Sequence, residues 1–366
     1  KILSYDGGLK EISQEGMKWW FTEFLPFKLL EAFPDYPHTD NLVAGIACSA
    51  SYDNNNGILF FSKKDYRLKE QFKGITTYDS DRNVFYVDKG TGRPLKVKLG
   101  DPRYFEDASW TVSYDPKSQF WISFHDWMPT LMMPSYQNFY TINSNEIWKH
   151  NNRWDSFCNY YGTNYPWEIE YPIVTPNQIT TLRSFEYYLD VYKFYNDGKD
   201  FNHVLDENFD RAIIHNSEQI SGYLNLNVFP KNNIALSLLY PQLNVNNNSF
   251  DILFSKEENK YRFNQFWDIT RDRSEFPIGS DYPPTGPVIP GTTVLQGNYA
   301  DRFIWITQPN GYIKDLNPAN LDFQKPETQR KKFRHYLNFI RFIKDISTDT
   351  NMIVKITNTK NQISPR

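Results

Sequence analysis

The sequence predicts an all-β protein. We expect propeller-like blades with one inserted helix in residues 1–152 and a second, sandwich-like antiparallel β domain in residues 153–366. Aromatic residues make up 17% of the 366-residue chain, and such side chains fit the pleated, half-buried surface of a sheet. A Tyr-Asp pair before a polar turn and an aromatic run also recurs along the first third of the chain. Repetition of this kind favours hairpins arranged as blades or as a meander.

Each copy of the recurring pattern predicts a β-hairpin. The Asp side chain can bond the backbone two residues on and so starts the turn, and an Asn-Gly pair supplies positive φ angles. The aromatic residue that ends the first strand then packs across the pair. The copies are Ser4–Gly8, Ser51–Phe61, Thr77–Val87 and Ser113–Phe124, and Phe139–Lys149 predicts one further hairpin.

One helix is expected to interrupt these hairpins. Met17, Trp20, Phe21 and Phe24 recur at the spacing of one helical face. Pro26 ends or kinks that helix, because proline cannot donate the helical hydrogen bond. We expect the apolar face to pack into a core rather than against a membrane or a partner.

Residues 153–366 predict further strands joined by turns. Asp197-Gly198 is a strong hairpin turn after the strand expected at Tyr187–Tyr195. Strands at Tyr336–Ile343 and Met352–Ile356 are expected to form a final hairpin, with a helix at 329–344 as the alternative to the first of them. The other expected strands are Ile179–Leu182, Ala212–His215, Gly222–Phe229, Phe250–Phe254 and Arg302–Ile306, the last followed by a turn at Asn310-Gly311.

A proline- and glycine-rich segment at 277–290 predicts a long loop. It holds five prolines and two glycines, which suit neither a helix nor a strand ladder. Long loops of this kind in compact proteins are often functional. We therefore expect a partner contact there.

Composition excludes several classes of protein. The formal net charge is −3 with 23% charged residues, which is too balanced for a dedicated DNA-binding domain. The chain is too aromatic to be disordered, and no segment approaches the ~18 apolar residues of a membrane helix. Cys48 and Cys158 are too few for a disulfide framework, and we expect both to be small buried hydrophobes.

The chain starts at Lys1, without an initiator methionine and within an expected strand. We therefore expect it to be a piece of a longer polypeptide, whose upstream part would be one of its partners.

The sequence lacks the motifs of common enzymes, namely the P-loop, HExxH and GxSxG. The six histidines show no metal-ligand spacing. His125-Asp126 is the most suggestive pair, but a histidine with satisfied hydrogen bonds in a loop is the better interpretation. We expect no catalytic residue, no cofactor and no metal, and we do not expect an enzyme.

Acidic residues offer two weaker hints of chemistry. A glycosidase needs two carboxyl groups across a cleft, and the candidates are Glu168 with Glu170 and the group Asp206, Glu207 and Asp210. Solvated acidic loops are the default interpretation. Asp53 and the three asparagines after it resemble a calcium loop, but the glycine comes one position early, and a hairpin turn explains them better.

The basic run Arg330–Arg334 could contact nucleic acid. Four cations before a strand more often solvate a sheet edge and discourage edge-to-edge pairing. We favour this second interpretation.

Several stretches resemble the muzzle protein, also called the stabilisation protein, of crAss-like bacteriophages. Each is a structural hairpin or strand, and together they run along most of the chain. They are Ser4–Ser13, Ser51–Lys64, Trp121–His125, Asn145–His150 and Asn259–Phe263.

The resemblance implies a virion structural protein at the distal tail, comparable in role to the nozzle proteins of short-tailed phages. It implies a ring-shaped homo-oligomer, expected to be a hexamer, that contacts other tail ring and muzzle segments and forms part of the conduit for genome ejection. DNA would pass through it transiently. The resemblance transfers no catalytic residues, and members of that family are much longer than this chain. The alternatives are a tail-associated glycosidase and a carbohydrate-binding protein for host attachment.

Overall fold

The computed structural model describes residues 1–5, 8–90, 92–153, 156–195, 200–205, 207–216, 218–226, 242–244, 249–252, 254–270, 322, 324–345 and 351–364. These residues divide into two compact units. The first is Lys1–Asn152, and the second contains the described residues from Arg153 onward.

The first unit is mostly β-structure. It contains two short helices, α1 (Lys18–Phe24) and α2 (Leu29–Ala32), and 3₁₀ turns at Ile12–Gln14 and Glu70–Phe72. Its described strands are β1 (Leu3–Tyr5), β2 (Leu9–Glu11), β3 (His38–Thr39), β4 (Ile46–Asp53), β5 (Ile58–Lys64), β6 (Tyr66–Leu68), β7 (Thr76–Asp79), β8 (Val84–Val87), β9 (Leu95–Val97), β10 (Phe105–Asp107), β11 (Trp110–Asp115), β12 (Phe120–His125), β13 (Leu131–Pro134), β14 (Phe139–Asn143) and β15 (Glu146–Lys149).

The hairpins expected from the Tyr-Asp pattern are confirmed. The antiparallel pairs are β1 with β2, β4 with β5, β7 with β8, β11 with β12 and β14 with β15. Asp53 Oδ1 accepts the Asn55 backbone N–H at 3.0 Å, and Asp115 Oδ1 accepts that of Lys117 at 2.8 Å. The local signal for a turn was therefore sufficient to place these strand pairs.

Three of these turns share one detail that differs from the expected Asn-Gly geometry. The residue just before the second strand takes the left-handed conformation, with φ of 69° at Gly57, 51° at Asn83 and 61° at Gln119. In two of them its backbone N–H bonds the carbonyl of the Asp four residues earlier, at 2.8 Å. The turns are thus four residues long, and only their last position needs a positive φ.

The hairpins assemble into several small sheets. A five-stranded sheet has the order β12-β11-β5-β4-β3, and three-stranded sheets are formed by β7-β8-β9 and by β13-β14-β15. Propeller blades typically have four strands each. The all-β class is confirmed, and the propeller arrangement stays a prediction.

The helix predicted from the aromatic stripe is α1. Its Trp20, Phe21 and Phe24 are buried, and it ends at Phe24, two residues before Pro26, as expected. A second short helix, α2, was not anticipated. Leu29 of α2 is fully buried in a core cluster that also includes Phe85 and Phe105.

The second unit is described as strands and one 3₁₀ turn, Glu327–Gln329. Its described strands are β16 (Asn159–Tyr160), β17 (Thr163–Asn164), β18 (Trp167–Val174), β19 (Thr180–Phe194), β20 (Phe201–Val204), β21 (Arg211–His215), β22 (Tyr223–Asn225), β23 (Gln242–Asn244), β24 (Ser249–Asp251), β25 (Phe254–Glu257), β26 (Lys260–Phe263), β27 (Arg334–His335), β28 (Leu337–Lys344) and β29 (Met352–Ser364).

Two sheets of this unit share one core. The first has the order β18-β28-β21-β22-β24-β23, and the second has the order β20-β19-β26-β25 with β27 and β29 also paired to β19. The Phe342 ring of the first sheet lies 4.8 Å from Tyr187 and 5.7 Å from Phe185 of the second. Side chains of the two sheets therefore interdigitate, as in sheet-on-sheet packing.

Several expectations for this unit were wrong in their pairing. The strands expected at Ile179–Leu182 and Tyr187–Tyr195 are one continuous strand, β19. The strand expected at Phe250–Phe254 is split between β24 and β25, which belong to different sheets. The unit is also not wholly antiparallel, because β22 and β24 pair in parallel.

The expected final hairpin does not form. β28 pairs with β18 and β21, whereas β29 pairs with β19 in the other sheet. The alternative helix at 329–344 is also wrong, because this region is mainly β27 and β28. Short-range pattern cannot distinguish a tight hairpin from two strands that diverge into opposite sheets.

Some predictions lie outside the described residues. They are the Asp197-Gly198 turn, the loop at 277–290, the strand at Arg302–Ile306 and the turn at Asn310-Gly311. In the part of the chain that is described, no helix is long and apolar enough to cross a membrane.

Candidate functional site

The first acidic pair, Glu168 and Glu170, lies on β18 beside β28. Both carboxylates bind Arg341, with Nη1 3.3 Å from Glu168 Oε2 and Nε 3.0 Å from Glu170 Oε2. His215 Nε2 is 3.1 Å from the same Glu170 oxygen. The pair is therefore held in an ion-pair network on a sheet, and the expected solvated loop is wrong here.

This network is unsuited to acid–base chemistry. Burial acts to raise the pKa of Glu170, but the hydrogen bonds and charges of His215 and Arg341 outweigh it and lower that pKa. A glycosidase acid must keep its proton near working pH, which requires a raised pKa. A Glu170 whose pKa is lowered in this way does not meet that need.

The second acidic group also surrounds a cation. Lys344 is almost completely buried, and its Nζ lies 3.1 Å from Glu207 Oε2 and 3.6 Å from Asp210 Oδ1. The same ammonium donates to the Asn208 carbonyl at 2.8 Å. Asp206 lies outside the described residues. The arrangement gives the buried ammonium group of Lys344 its ion-pair and hydrogen-bond partners. Without them, burial of this charge would be costly in free energy.

His125 belongs to a closed cluster of five rings in the first unit, not to a loop. The Trp127 ring, 2% exposed, lies 5.5 Å from His125 and 4.9 Å from His150. Phe60 and Phe139 stack at 5.0 Å and complete the cluster, with Phe60 5.3 Å from His125 and Phe139 5.3 Å from His150. The cluster joins the five-stranded sheet to the sheet β13-β14-β15.

Both histidines of this cluster bond hydroxyl groups. His125 Nε2 lies 2.9 Å from Ser113 Oγ, and His150 Nε2 lies 2.8 Å from Thr141 Oγ1. Burial lowers the pKa of each histidine to about 4. Both rings are neutral at pH 7, and their contacts are those of a packed core.

The Asp53 loop is a hairpin turn. Asp53 is 2% exposed, and its carboxylate accepts the Asn55 and Asn56 backbone N–H groups and, at 2.7 Å, Asn56 Nδ2. These bonds use the oxygens that a calcium ion would need. Among the described residues, no group of three or more His, Cys, Asp or Glu side chains could hold a metal ion.

A buried ion pair, Lys63 with Asp65, was missed by the sequence analysis. Lys63 Nζ lies 2.6 Å from Asp65 Oδ2 and donates to the carbonyls of Phe24 and Pro26 at 2.8 and 2.7 Å. Asp65 in turn accepts the backbone N–H groups of Lys28 and Leu29. The pair thus satisfies the backbone groups left open at the end of α1 and the start of α2.

The basic run Arg330–Arg334 is only partly a solvated edge. Lys332 Nζ donates to the Asn264 carbonyl at 2.6 Å and lies 4.0 Å from the Trp267 ring. Burial, followed by the charge of Arg183, lowers the pKa of Lys332 to about 8. Arg330 Nε donates to the Lys325 carbonyl at 2.8 Å. Arg330 and Lys332 therefore anchor the fold.

The expectation for the cysteines was also inexact. Cys48 and Cys158 form no disulfide and are both half-buried rather than fully buried. Burial raises the pKa of the Cys48 thiol, which makes it a poor nucleophile.

One surface feature is the outer strand of the five-stranded sheet, β12. Among the described strands β12 pairs only with β11, so its other edge is open. Phe120 is 65% exposed, Ile122 47% and Phe124 37%. We call these three residues the apolar edge. Unguarded apolar edges of this kind invite pairing with another chain.

Comparison with known proteins gives no assignment: no family model matches the chain, and no curated protein matches it.

Proposed function

We propose that this protein is a structural component of a bacteriophage tail, in the muzzle or nozzle at the distal end of the tail tube. In this proposal several copies, six by expectation, form a ring with other tail segments and line part of the conduit for genome ejection. Residues 1–152 would contribute blades of a propeller.

The observation that carries the proposal is the apolar edge. Some edge strands of the described sheets bear charges, such as Lys96 on β9 and Lys355 and Lys360 on β29, which is how proteins discourage unwanted pairing. The edge strands β3, β13, β20 and β23 bear none, like β12. β12 bears no lysine, arginine, aspartate or glutamate from Phe120 to His125. A strand left open in this way is suited to permanent assembly.

The ion-pair networks support a structural role over a hydrolytic one. Both acidic groups that could have served a glycosidase surround a buried cation, Arg341 or Lys344. Buried charges in such networks are commonly structural, and removing one partner is strongly destabilising.

The charge pattern supports transient passage of DNA. A conduit must release its genome, and each neutralised phosphate adds salt-dependent affinity. The net charge is −3, and Arg330 and Lys332 of the run Arg330–Arg334 are committed to contacts within the fold. We expect Lys331→Glu, which leaves the fold-anchoring Lys332 in place, to leave DNA affinity almost unchanged.

Peptide mass spectrometry of purified virus particles tests the proposal. We expect peptides of this chain in the particles at a stoichiometry of one ring, about six copies for the expected hexamer. Their absence from particles, in cells that do express the chain, would contradict it. In parallel, incubation with host polysaccharides should release no reducing ends. Release that disappears in Glu168→Gln or Glu170→Gln would favour the glycosidase instead.

A further inference from the structure

Lys344, the last residue of β28, lies beside Asp210, which immediately precedes β21. The two strands are antiparallel neighbours with Arg211 opposite Ile343, and the Asp210 backbone N–H donates to the Ile343 carbonyl at 3.0 Å. This register brings the two side chains together, with Lys344 Nζ 3.6 Å from Asp210 Oδ1. A nucleophilic group and a carboxyl group are thus held side by side.

The nitrogen of Lys344 is almost completely shielded from water. The residue is 4% exposed, and its Nζ also contacts the Asn208 carbonyl at 2.8 Å and Glu207 Oε2 at 3.1 Å. In bulk water an ammonium and a carboxylate stay apart as hydrated ions. A buried site lacks that hydration, which removes a main obstacle to their condensation, and desolvated lysine amines are nucleophiles in several enzymes.

Asp210 is the carboxyl group suited to be attacked. Burial raises the pKa of Asp210, although the charge of Lys344 opposes this effect, and a protonated carboxyl group can release its hydroxyl as water. The Asp345 backbone N–H donates to Asp210 Oδ2 at 2.7 Å. This donor would stabilise the negative charge that develops on that oxygen when the carboxyl carbon is attacked.

Glu207 is the group suited to carry a proton. Its carboxylate lies between two ammonium groups, with Oε2 3.1 Å from Lys344 Nζ and Oε1 3.6 Å from Lys193 Nζ. It can accept a proton from the attacking nitrogen and pass it to the departing hydroxyl, as a general acid–base does. Glu207 and Asp210 therefore have different roles, although both contact the same nitrogen.

We propose that Lys344 and Asp210 condense to form an intramolecular isopeptide bond, with Glu207 as the proton carrier. Within the ion pair, a proton of Lys344 passes to the Asp210 carboxylate, which leaves a neutral amine beside a neutral acid. The amine electron pair attacks Asp210 Cγ and forms the N–C bond. The C–O bond to the hydroxyl then breaks, Glu207 transfers one proton from the nitrogen to that hydroxyl, and one water leaves.

The reaction consumes no oxidant and no second reactant. Groups positioned in this way react at effective concentrations of about 10⁵–10⁸ M, so the fold itself supplies the rate. The bond joins β28 covalently to the start of β21 and closes a loop that spans residues 210–344. Such a link restricts the unfolded chain as a disulfide does. This inference does not rest on the tail assignment.

Intact-mass spectrometry of the purified full chain under denaturing conditions tests the proposal. We expect a mass below that of the sequence by one water. Trypsin should leave Lys344 uncleaved and yield a branched peptide that joins residues 200–211 to residues 342–355. Lys344→Arg keeps the positive charge but cannot form this amide, so it should show its full sequence mass. Glu207→Gln removes the proton carrier and should lose most of the cross-link.

The matched control is Lys260→Arg. Lys260 also lies beside a carboxylate, with Nζ 3.4 Å from Glu186 Oε2, but it is partly exposed, and this variant should keep the loss of water. A wild-type chain of full sequence mass would overturn the proposal. So would a loss of water that persists in Lys344→Arg, or a branched peptide linked through Glu207.

Thermal unfolding of Lys344→Arg and Glu207→Gln shows whether the fold is retained. If either variant fails to fold, the wild-type mass and the branched peptide still decide the question. Absence of the chain from virus particles would refute the tail assignment and leave the result on the isopeptide bond unchanged.

Discussion

At the scale of single residues, the buried pair Lys63–Asp65 determines how the helical segment joins the sheet. All three ammonium protons of Lys63 have acceptors, at Phe24, Pro26 and Asp65. Charged side chains as completely buried as these two are tolerated only because each charged group has hydrogen-bond partners. The pair therefore fixes the α1–α2 connection to β5.

Removal of the negative charge from this pair should strongly destabilise the protein. We expect Asp65→Asn to lower the free energy of unfolding by about 3–5 kcal/mol, because Lys63 would stay buried without a counter-charge. Urea denaturation measures the change. The control is Glu70→Gln, which breaks the exposed pair with Lys73 and should cost less than about 1 kcal/mol. Equal effects of the two substitutions would contradict this account.

His125 and His150 should make the protein sensitive to acid. Their pKa values fall from 6.5 to about 4 on folding, so the unfolded chain binds more protons between these values, and stability is lost as the pH falls from about 6.5 towards 4. The charge of Asp53 favours the protonated form of His150 and so opposes the effect of burial on its pKa. The other charged residues on the segments around the cluster are Asp126, Glu146 and Lys149. The loss should reach at most about 3 kcal/mol for each histidine.

Urea denaturation at several pH values checks this expectation. The double variant His125→Gln, His150→Gln should show a shallower decline in stability between pH 6.5 and 4 than the wild type. The control His38→Gln removes an exposed histidine of the same unit and should keep the wild-type decline. An unchanged decline in the double variant would show that other groups cause it.

At the scale of elements, β12 is expected to control self-association. Ile122→Lys places a charge on the apolar edge, which should reduce oligomer formation because the charge must be desolvated on pairing. Sedimentation velocity measures the distribution of species. Ile147→Lys is the matched control, because Ile147 is 68% exposed on β15. Unchanged association in Ile122→Lys would exclude β12 as the contact.

Elements were predictable from the sequence where the information is local. The Tyr-Asp turns and the stripe of α1 each lie within about ten residues, and periodicity with turn chemistry suffices for them. The pairing of β19 with β29 is different. It joins residues such as Leu182 and Ile363, and nothing in either segment specifies so distant a partner.

The candidate site was less predictable than the elements. Glu168 and Glu170 were recognised as a pair, but their partner Arg341 is far along the chain. Lys63 lies near the end of the apolar strand β5 and Asp65 follows it, where charges usually mark a solvent-exposed end. Their burial depends on the two helix ends that pack above them, which only the fold reveals.

At the scale of the whole molecule, the features fit a part that assembles rather than one that catalyses. Two all-β units have cores of their own, buried ion pairs fix their strands, and β12 leaves an apolar edge open. Rings of identical subunits need such a patch to meet a different surface of the next copy. We therefore expect the chain to hold a defined position in a symmetric particle.

The most direct measurement is gold labelling of purified virus particles with antibodies against this chain, followed by electron microscopy. We expect label at the distal end of the tail, with averaged images of that end showing a closed ring of six-fold symmetry. Label on the capsid, on lateral fibres or nowhere on intact particles would contradict the assignment to the tail muzzle.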